Sequence, residues 1–381
     1  MNFYEQELDK LKQDECLRKI SDISYKEDKY IVINGKKYIN LSSNDYLGLS
    51  TNKAIIKEFI ETNKMDKEFL FSSASARLLT GTSSIYFKLE KNLANLFNKQ
   101  ACLLYNTGYQ CNLGIISSLV HKSDVVFCDK LNHASIIAGM KLSQADFYRY
   151  KHLDYQHLET LLKKYRAKYK KALIVSESVF SMDGDIADIK KLVELKNKYN
   201  CILMIDEAHA FGVFGKNLCG ISETINVISS IDIIVATLGK AFASVGAFCV
   251  ASKMYIDYFI NKSSSFIFST ALAPVNVMWT NWLIENKIDL IKEKQKKLNN
   301  LLKKVHEYLK DNRHTQIIPI IIGQNKQTIE IAKKLQQECF FLLPIRVPTV
   351  APNTARLRLS LTADITFEEI KKMFEIIKGY L

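Results

Sequence analysis

Seven short, mostly apolar runs through the middle of this chain, with helical patterns between most of them, constrain its fold more than any other feature. They are Ala101–Tyr105, Val125–Cys128, Asp146–Tyr150, Leu173–Ser176, Ile202–Ile205, Ile233–Ala236 and Ala247–Ala251. Runs apolar at successive positions belong to strands buried on both faces. Helical spacing between them, as over Leu192–Tyr199, implies βαβ units. The expected fold class is therefore α/β, with a mostly parallel central sheet and helices on both faces. In such sheets ligands gather beyond the carboxyl ends of the strands. Residues just past each run become the candidates for chemistry.

The 381 residues are long for one core. We divide them into an N-terminal helix and hairpin segment (1–45), a large α/β domain (46–280) and a smaller C-terminal α+β domain (281–381). Residues 1 to 22 place Leu8, Leu11, Cys16 and Leu17 near helical spacing. Asn34-Gly35, inside the apolar stretch Tyr30–Ile39, is a two-residue hairpin signal. After Pro274 a long helical stretch is expected from Val275 to Lys310. Strand 316–322, helix 328–339, strand 356–361 and helix 366–378 follow. Thr366 and Glu369 resemble a capping box for the last of these.

The formal net charge is +13. Nucleic acid is one reading of that excess. Attraction of an anionic thioester or an acidic carrier protein is another. Lysines interleaved with glutamate on amphipathic patterns, as in Lys292–Lys297, favour a plain solvated surface. A nucleic-acid regulator would carry an added helix-turn-helix, and the stretch before Asn44 is too short for one, so no nucleic acid is expected. No run of 18 or more apolar residues appears, so no membrane span is expected. The start, Met1–Glu7, lacks the layout of a secretory signal. The eight cysteines are scattered, without a CxxC pair. They read as reduced thiols of a cytoplasmic protein, with no disulfide or metal role.

Thr237-Leu238-Gly239-Lys240 stands just past one run, and Asp206-Glu207-Ala208-His209 just past another. An amine and a buried carboxylate at neighbouring strand ends are what pyridoxal phosphate requires. The amine bonds the aldehyde, and the carboxylate holds the ring nitrogen protonated. Gly108-Tyr109 opens a helical pattern after Ala101–Tyr105 and offers backbone N–H groups to a phosphate. Helices begin this way throughout α/β proteins, so that signal is weak alone. His133 could stack on an aromatic ring or simply cap a helix. Ser178 and Ser181, past a further strand, could donate hydrogen bonds.

In that order these blocks resemble the α-oxoamine synthases, fold-type I enzymes that use pyridoxal phosphate. The matching blocks are Asn44–Leu49, Asn132–Ser135, Phe180–Asp185, Asp206–Gly212, Thr237–Ala241, and Pro348–Val350 followed by Thr354–Arg358. With flanking residues they run from about residue 18 to 362. The resemblance implies a fold-type I transferase that works as a homodimer. It assigns Lys240 to the covalent link with the cofactor, Asp206 to the pyridinium nitrogen and His133 to ring stacking. His209, helped by Ser181, would meet the phenolic oxygen. Thr237, Gly108 and Tyr109 would hold the phosphate or its surroundings, and Ser269-Thr270 would reach the phosphate from the partner subunit. Arg18, Asn44, His133, Arg346, Thr349 and Arg358 would address substrate. Arg346 and Arg358 are the candidates for an amino-acid carboxylate, which a guanidinium matches with two parallel hydrogen bonds. The plainer alternatives are a sheet-anchoring ion pair for Arg358 and an exposed helix charge for Arg18.

The reaction implied is a decarboxylating condensation of an amino acid with an acyl thioester, on coenzyme A or a carrier protein. The Ser42–Leu49 block and the length look most like members that join L-alanine to a pimeloyl thioester for biotin. Glycine with an acetyl thioester is the second reading. One departure stands out: Ser72–Ala76 has serine and alanine where the family usually has glycine. Ala243–Ala247 is also poorer in glycine than many relatives. Positive φ angles are costly for such residues.

Overall fold

The structure is a computed structural model and describes residues 2–380. Contacts divide the chain into two units. The larger comprises Lys53–Ser181 and Asp185–Gln295; the smaller comprises the chain up to Asn52, Met182–Gly184 and everything from Lys296. The divisions drawn from sequence at 45 and 280 thus fall at 52 and 295, and the N-terminal segment groups with the C-terminal one.

The larger unit is built on a seven-stranded sheet. Its strands are β1 (Ala101–Tyr105), β2 (Val125–Asp129), β3 (Asp146–Tyr150), β4 (Ala172–Glu177), β5 (Ile202–Asp206), β6 (Ile233–Thr237) and β7 (Ala247–Ala251). All seven runs read from the sequence are strands. Their spatial order is β1-β7-β6-β5-β4-β2-β3. Only β7 runs against its neighbours, pairing antiparallel with both β1 and β6. Residues of β2, β4 and β7 are buried throughout, as near-continuous apolar runs require. One face packs on helices Gly108–Leu119, Ala134–Ser143 and Lys253–Lys262, through Ile115, Ile116, Ile136, Met140, Ile256 and Phe259. Where the first two cross, a Cβ on Gly139 would lie 3.0 Å from Ile116 Cβ, so glycine sets how closely the helices approach.

Two helical expectations change. The N-terminal helix is shorter, Phe3–Gln13, and buries none of its residues. Glu15 turns to φ +56° and ends the pattern before Cys16 and Leu17. The stretch after Pro274 is two helices, Pro274–Asn286 and Ile288–Leu309. Asn286 Nδ2 donates to the Trp282 carbonyl at 3.1 Å, and Lys287 leaves helical geometry at φ −128°. A side chain that takes a backbone carbonyl near a helix end competes with continuing the helix.

The smaller unit holds two sheets. The hairpin Tyr30–Ile33 and Lys36–Asn40 turns at Asn34 (φ +49°) and Gly35 (φ +75°), two positive angles as a type I′ turn demands. Tyr25–Glu27 and Phe340–Phe341 complete that sheet. The second sheet is Ile317–Gly323, Ala355–Ser360 and Pro344–Ile345. The last helix, Phe367–Lys378, carries the capping box on Thr366 and Glu369.

Candidate cofactor site

The carboxyl ends of β4, β5 and β6 lie side by side and present Glu177, Asp206 and Thr237. Glu177 and Asp206 are paired in register, and both are buried. Asp206 Oδ2 accepts from Asn112 Nδ2 at 2.8 Å, and Oδ1 accepts from the Ala208 amide at 2.9 Å. Glu177 Oε1 accepts from the His133 amide at 2.6 Å. Burial and then the charge of Asp206 push the Glu177 carboxyl up to about 8, against the opposing pull of Lys240. Two adjacent carboxyls shielded from water cannot both ionise cheaply. Glu177 therefore keeps its proton at neutral pH.

Lys240 lies on the loop Leu238–Gly246, between β6 and β7. That loop is closed by the Leu238 amide donating to the Gly246 carbonyl (2.9 Å) and the Ser244 amide to the Leu238 carbonyl (3.0 Å). The Thr237 hydroxyl donates to the same Gly246 carbonyl at 3.0 Å. Lys240 Nζ stands 2.8 Å from His209 Nε2. Such a contact needs one lone pair, so the two nitrogens cannot both aim a hydrogen at each other.

His133 caps helix Ala134–Ser143, and its side chain is open to solvent. Desolvation lowers the pKa of its ring, Asp206 raises it and Lys240 lowers it again, with a net fall. Ser181 is buried, and its amide donates to Glu177. Gly108 opens helix Gly108–Leu119 behind the N-cap Thr107, whose hydroxyl accepts from the Gln110 amide at 3.1 Å. First-turn amides such as those of Gly108 and Tyr109 have no acceptor within a helix. A Cβ on Gly108 would meet Thr237 Cβ at 3.8 Å, which brings the helix start next to the end of β6. Thr270 forms a bridge with Ala76, its carbonyl accepts from Asn106 Nδ2 at 2.7 Å, and Ser269 Oγ lies 3.4 Å from Gln110 Nε2.

The remaining candidates are in the smaller unit. Arg18 Nη2 donates to Thr349 Oγ1 at 2.8 Å, and both residues are exposed. Arg346 turns Nη1 to the Glu15 carbonyl (2.6 Å) and Nη2 to that of Leu17 (3.4 Å). Arg358 is buried, with Nη1 on Ser360 Oγ (2.6 Å) and Nη2 on Asn44 Oδ1 (3.3 Å). Its neighbour Arg356 makes the ion pair, with Asp183 at 2.5 Å.

The larger unit thus groups Lys240 with His209, and Asp206 with Glu177 and the His133 amide. Glu177 and Asn112 gained no role from sequence. A strand-end carboxyl next to Asp206 was a usable signal only once the β4–β5 register was known. Where glycine is missing, alanine takes the left-handed backbone: Ala74 has φ +50° and Ala243 φ +46°. The donor set fits pyridoxal phosphate. It offers a primary amine for the aldehyde, a buried carboxylate for a ring N–H, an open imidazole for stacking and first-turn amides for a phosphate.

A model for class I and II aminotransferases matches residues 36–377. The chain belongs to that family and, within it, to the α-oxoamine synthases, which are acyltransferases dependent on pyridoxal phosphate. It is 44% identical to the 8-amino-7-oxononanoate synthase of Haemophilus ducreyi over 310 residues, 79% of this chain and 80% of that one. The solved structure of the 8-amino-7-oxononanoate synthase of Francisella tularensis has 28% identity and a TM-score of 0.74, over 90% of this chain and 97% of that one. A serine palmitoyltransferase from S. paucimobilis with bound PLP and myriocin has 26% identity and a TM-score of 0.88, over 99% and 96%. Pyridoxal phosphate is the cofactor. No helix among the described residues is long and apolar enough to cross a membrane.

Proposed function

We propose that the chain condenses L-alanine with a pimeloyl thioester, with loss of carbon dioxide, to give 8-amino-7-oxononanoate for biotin. The observation that carries the chemistry is Lys240 Nζ at 2.8 Å from His209 Nε2, one strand from the Asp206–Glu177 pair. The 44% identity to a relative named for that product supports the choice of substrates.

When bound, pyridoxal phosphate supplies an aldehyde that captures the amino-acid nitrogen and a ring that withdraws electrons from the α-carbon. Lys240 would hold it, and Asp206 would keep the ring nitrogen protonated. His133 would stack on the ring, and His209 with Ser181 would meet the phenolic oxygen. Thr237 and the amides of Gly108 and Tyr109 would hold the phosphate or its surroundings. Lys240 Nζ also removes the α-proton of alanine, for which it must be neutral, since an ammonium has no lone pair. His209 Nε2, 2.8 Å away, orients that amine. Arg358, backed by Ser360 and Asn44, is the group for the substrate carboxylate. Arg346 places two nitrogens on the carbonyls of residues 15 and 17, which tethers the N-terminal segment, and Arg18 and Thr349, hydrogen-bonded to each other, would address the substrate.

The working form is a homodimer. Phe71, Leu79 and Phe268 are each more than three-quarters exposed, and Phe268 adjoins Ser269-Thr270. Large aromatic and aliphatic groups left in water at that place suit a second copy of the chain. Sedimentation should give a dimer. A mixture of Lys240→Ala chains with Thr270→Ala chains should recover activity that neither has alone.

Supplying the purified, cofactor-loaded chain with alanine and pimeloyl-coenzyme A should release one carbon dioxide per 8-amino-7-oxononanoate, read by mass spectrometry. Turnover of glycine with acetyl-coenzyme A, and none of the first pair, would replace these substrates while keeping the reaction type. An inert protein whose Lys240 peptide stays unlabelled after borohydride treatment would remove the reading altogether.

A further inference from the structure

A buried polar chain joins the carboxylate at the end of β5 to the imidazole that caps Ala134–Ser143. Asn112, 1% exposed, places Nδ2 at 2.8 Å from Asp206 Oδ2 and 3.0 Å from Ser135 Oγ. Ser135 is fully buried; its Oγ lies 2.7 Å from His133 Nδ1, and its amide reaches the same nitrogen at 3.2 Å.

We propose that Asp206, acting through Asn112 and Ser135, holds His133 as the neutral imidazole with its proton on Nε2, which makes Asn112 and Ser135 positioning residues of the cofactor site. The inference rests on the reading of that site given above.

The direction of each hydrogen bond follows from the carboxylate. An ionised carboxylate only accepts, so the Asn112 amide must turn its NH2 group toward Asp206. A flipped amide would set its oxygen against the carboxylate. The cost of the observed orientation is visible: Asn112 Oδ1 is buried without a partner among the described residues. The second hydrogen on Nδ2 goes to Ser135 Oγ, which therefore accepts. The hydroxyl hydrogen is then free to donate, and His133 Nδ1 is the acceptor within reach. With a hydroxyl and an amide hydrogen both aimed at Nδ1, that nitrogen carries the lone pair and the ring proton sits on Nε2. The pKa of His133 is lowered as well, by burial first and then by the charge of Lys240, against the pull of Asp206.

The arrangement has a use. The charge of Asp206 by itself favours an imidazolium, but the hydrogen-bond chain that starts on its carboxylate aims donors at Nδ1 and so holds the imidazole beside the ring in its uncharged form. Two cationic rings face to face would repel; a neutral imidazole against a cationic ring does not. Capping of the helix alone requires only the Ser135 amide and Nδ1, and neither Asn112 nor the serine hydroxyl.

The test is the nitrogen spectrum of His133 in the full chain labelled with 15N-histidine, recorded without and with the cofactor and assigned through His133→Gln. The expected result is one neutral tautomer with the proton on Nε2 and a titration midpoint below 6.5. Ser135→Ala should mix the tautomers and raise the midpoint, Ser135→Thr should restore both, and Asn112→Leu should act in the same direction as Ser135→Ala. A wild-type spectrum with the proton on Nδ1 would overturn the proposal, as would unchanged His133 signals in both Ser135→Ala and Asn112→Leu. If Asn112→Leu does not fold, the wild-type spectrum and the Ser135 pair decide. Failure of the cofactor assignment reads differently, as an unlabelled Lys240 peptide beside an unchanged His133 spectrum.

Discussion

The two ends of the seven-stranded sheet treat charge in opposite ways. At the amino end Lys171 Nζ lies 3.2 Å from Asp124, and Lys196 Nζ lies 2.7 Å from Asp232. Arg166 places its three nitrogens on the carbonyls of Tyr199, Tyr169 and Asn200. These cations line a cavity of about 410 Å³, yet each is matched by an oxygen of the unit itself. At the carboxyl end Glu177 stands beside Asp206, and Lys240 beside His209. Opposite charges pair at one end, and like groups crowd at the other. Paired charges have nothing left to exchange, whereas crowded ones leave a proton that moves near neutral pH.

Substitutions at the two ends should separate sharply. Lys240→Ala should lower kcat by about 10³-fold or more, because both the covalent link and the base are lost. Lys196→Met should change kcat less than about twofold and cost about 1 kcal/mol in denaturant unfolding. Equal losses of activity at both ends would break the contrast.

His152 tests pairing next to the site. Its Nδ1 lies 2.9 Å from Asp129 and its Nε2 3.1 Å from Asp185. Burial opposes its charge, but hydrogen bonds and charge from the two aspartates prevail and hold the imidazole up at about 9. A raised pKa of this kind stabilises the fold fully below about 6.5, and the contribution is lost as pH rises through about 9. His152→Gln should therefore cost about 1–3 kcal/mol at pH 6 and markedly less at pH 10, by chemical denaturation.

Glu177 tests crowding, and its pH slope has the same sign over a lower window. Between about pH 4.5 and 8 the folded chain keeps a proton that the unfolded chain has lost, so stability falls as pH rises through that window. Glu177→Gln cannot ionise. Its Tm relative to wild type should improve from pH 5 to pH 9, and a constant difference would show that Glu177 is an ordinary carboxylate. The smallest effect concerns the backbone: Ala243→Gly should stabilise by about 0.5–1 kcal/mol, the surplus of left-handed strain over the entropy of glycine.

Contiguous apolar runs made the strands legible, and the residues past β2, β5 and β6 made the cofactor legible. The reversal of β7 was less plain, because Ala247–Ala251 reads the same in either direction. The signal lay in spacing: a parallel return needs a dozen or more residues, and Leu238–Gly246 is shorter. The partners of Arg346 could not be read at all. Carbonyls more than 300 residues away leave no trace in composition or periodicity. Glu177 and Asn112 were hidden for a related reason, since their importance comes from register and helix placement rather than from residue type.

The reversed strand has one more effect. Because β6 and β7 are hydrogen-bonded neighbours, the segment carrying Lys240 is anchored at both feet, and Gly246 at φ +117° makes the tight landing. The post is fixed, and only the four methylene groups above it can swing. An amine that must let go of one partner and reach for another thus travels as a short boom on rigid footing, without asking the main chain to move.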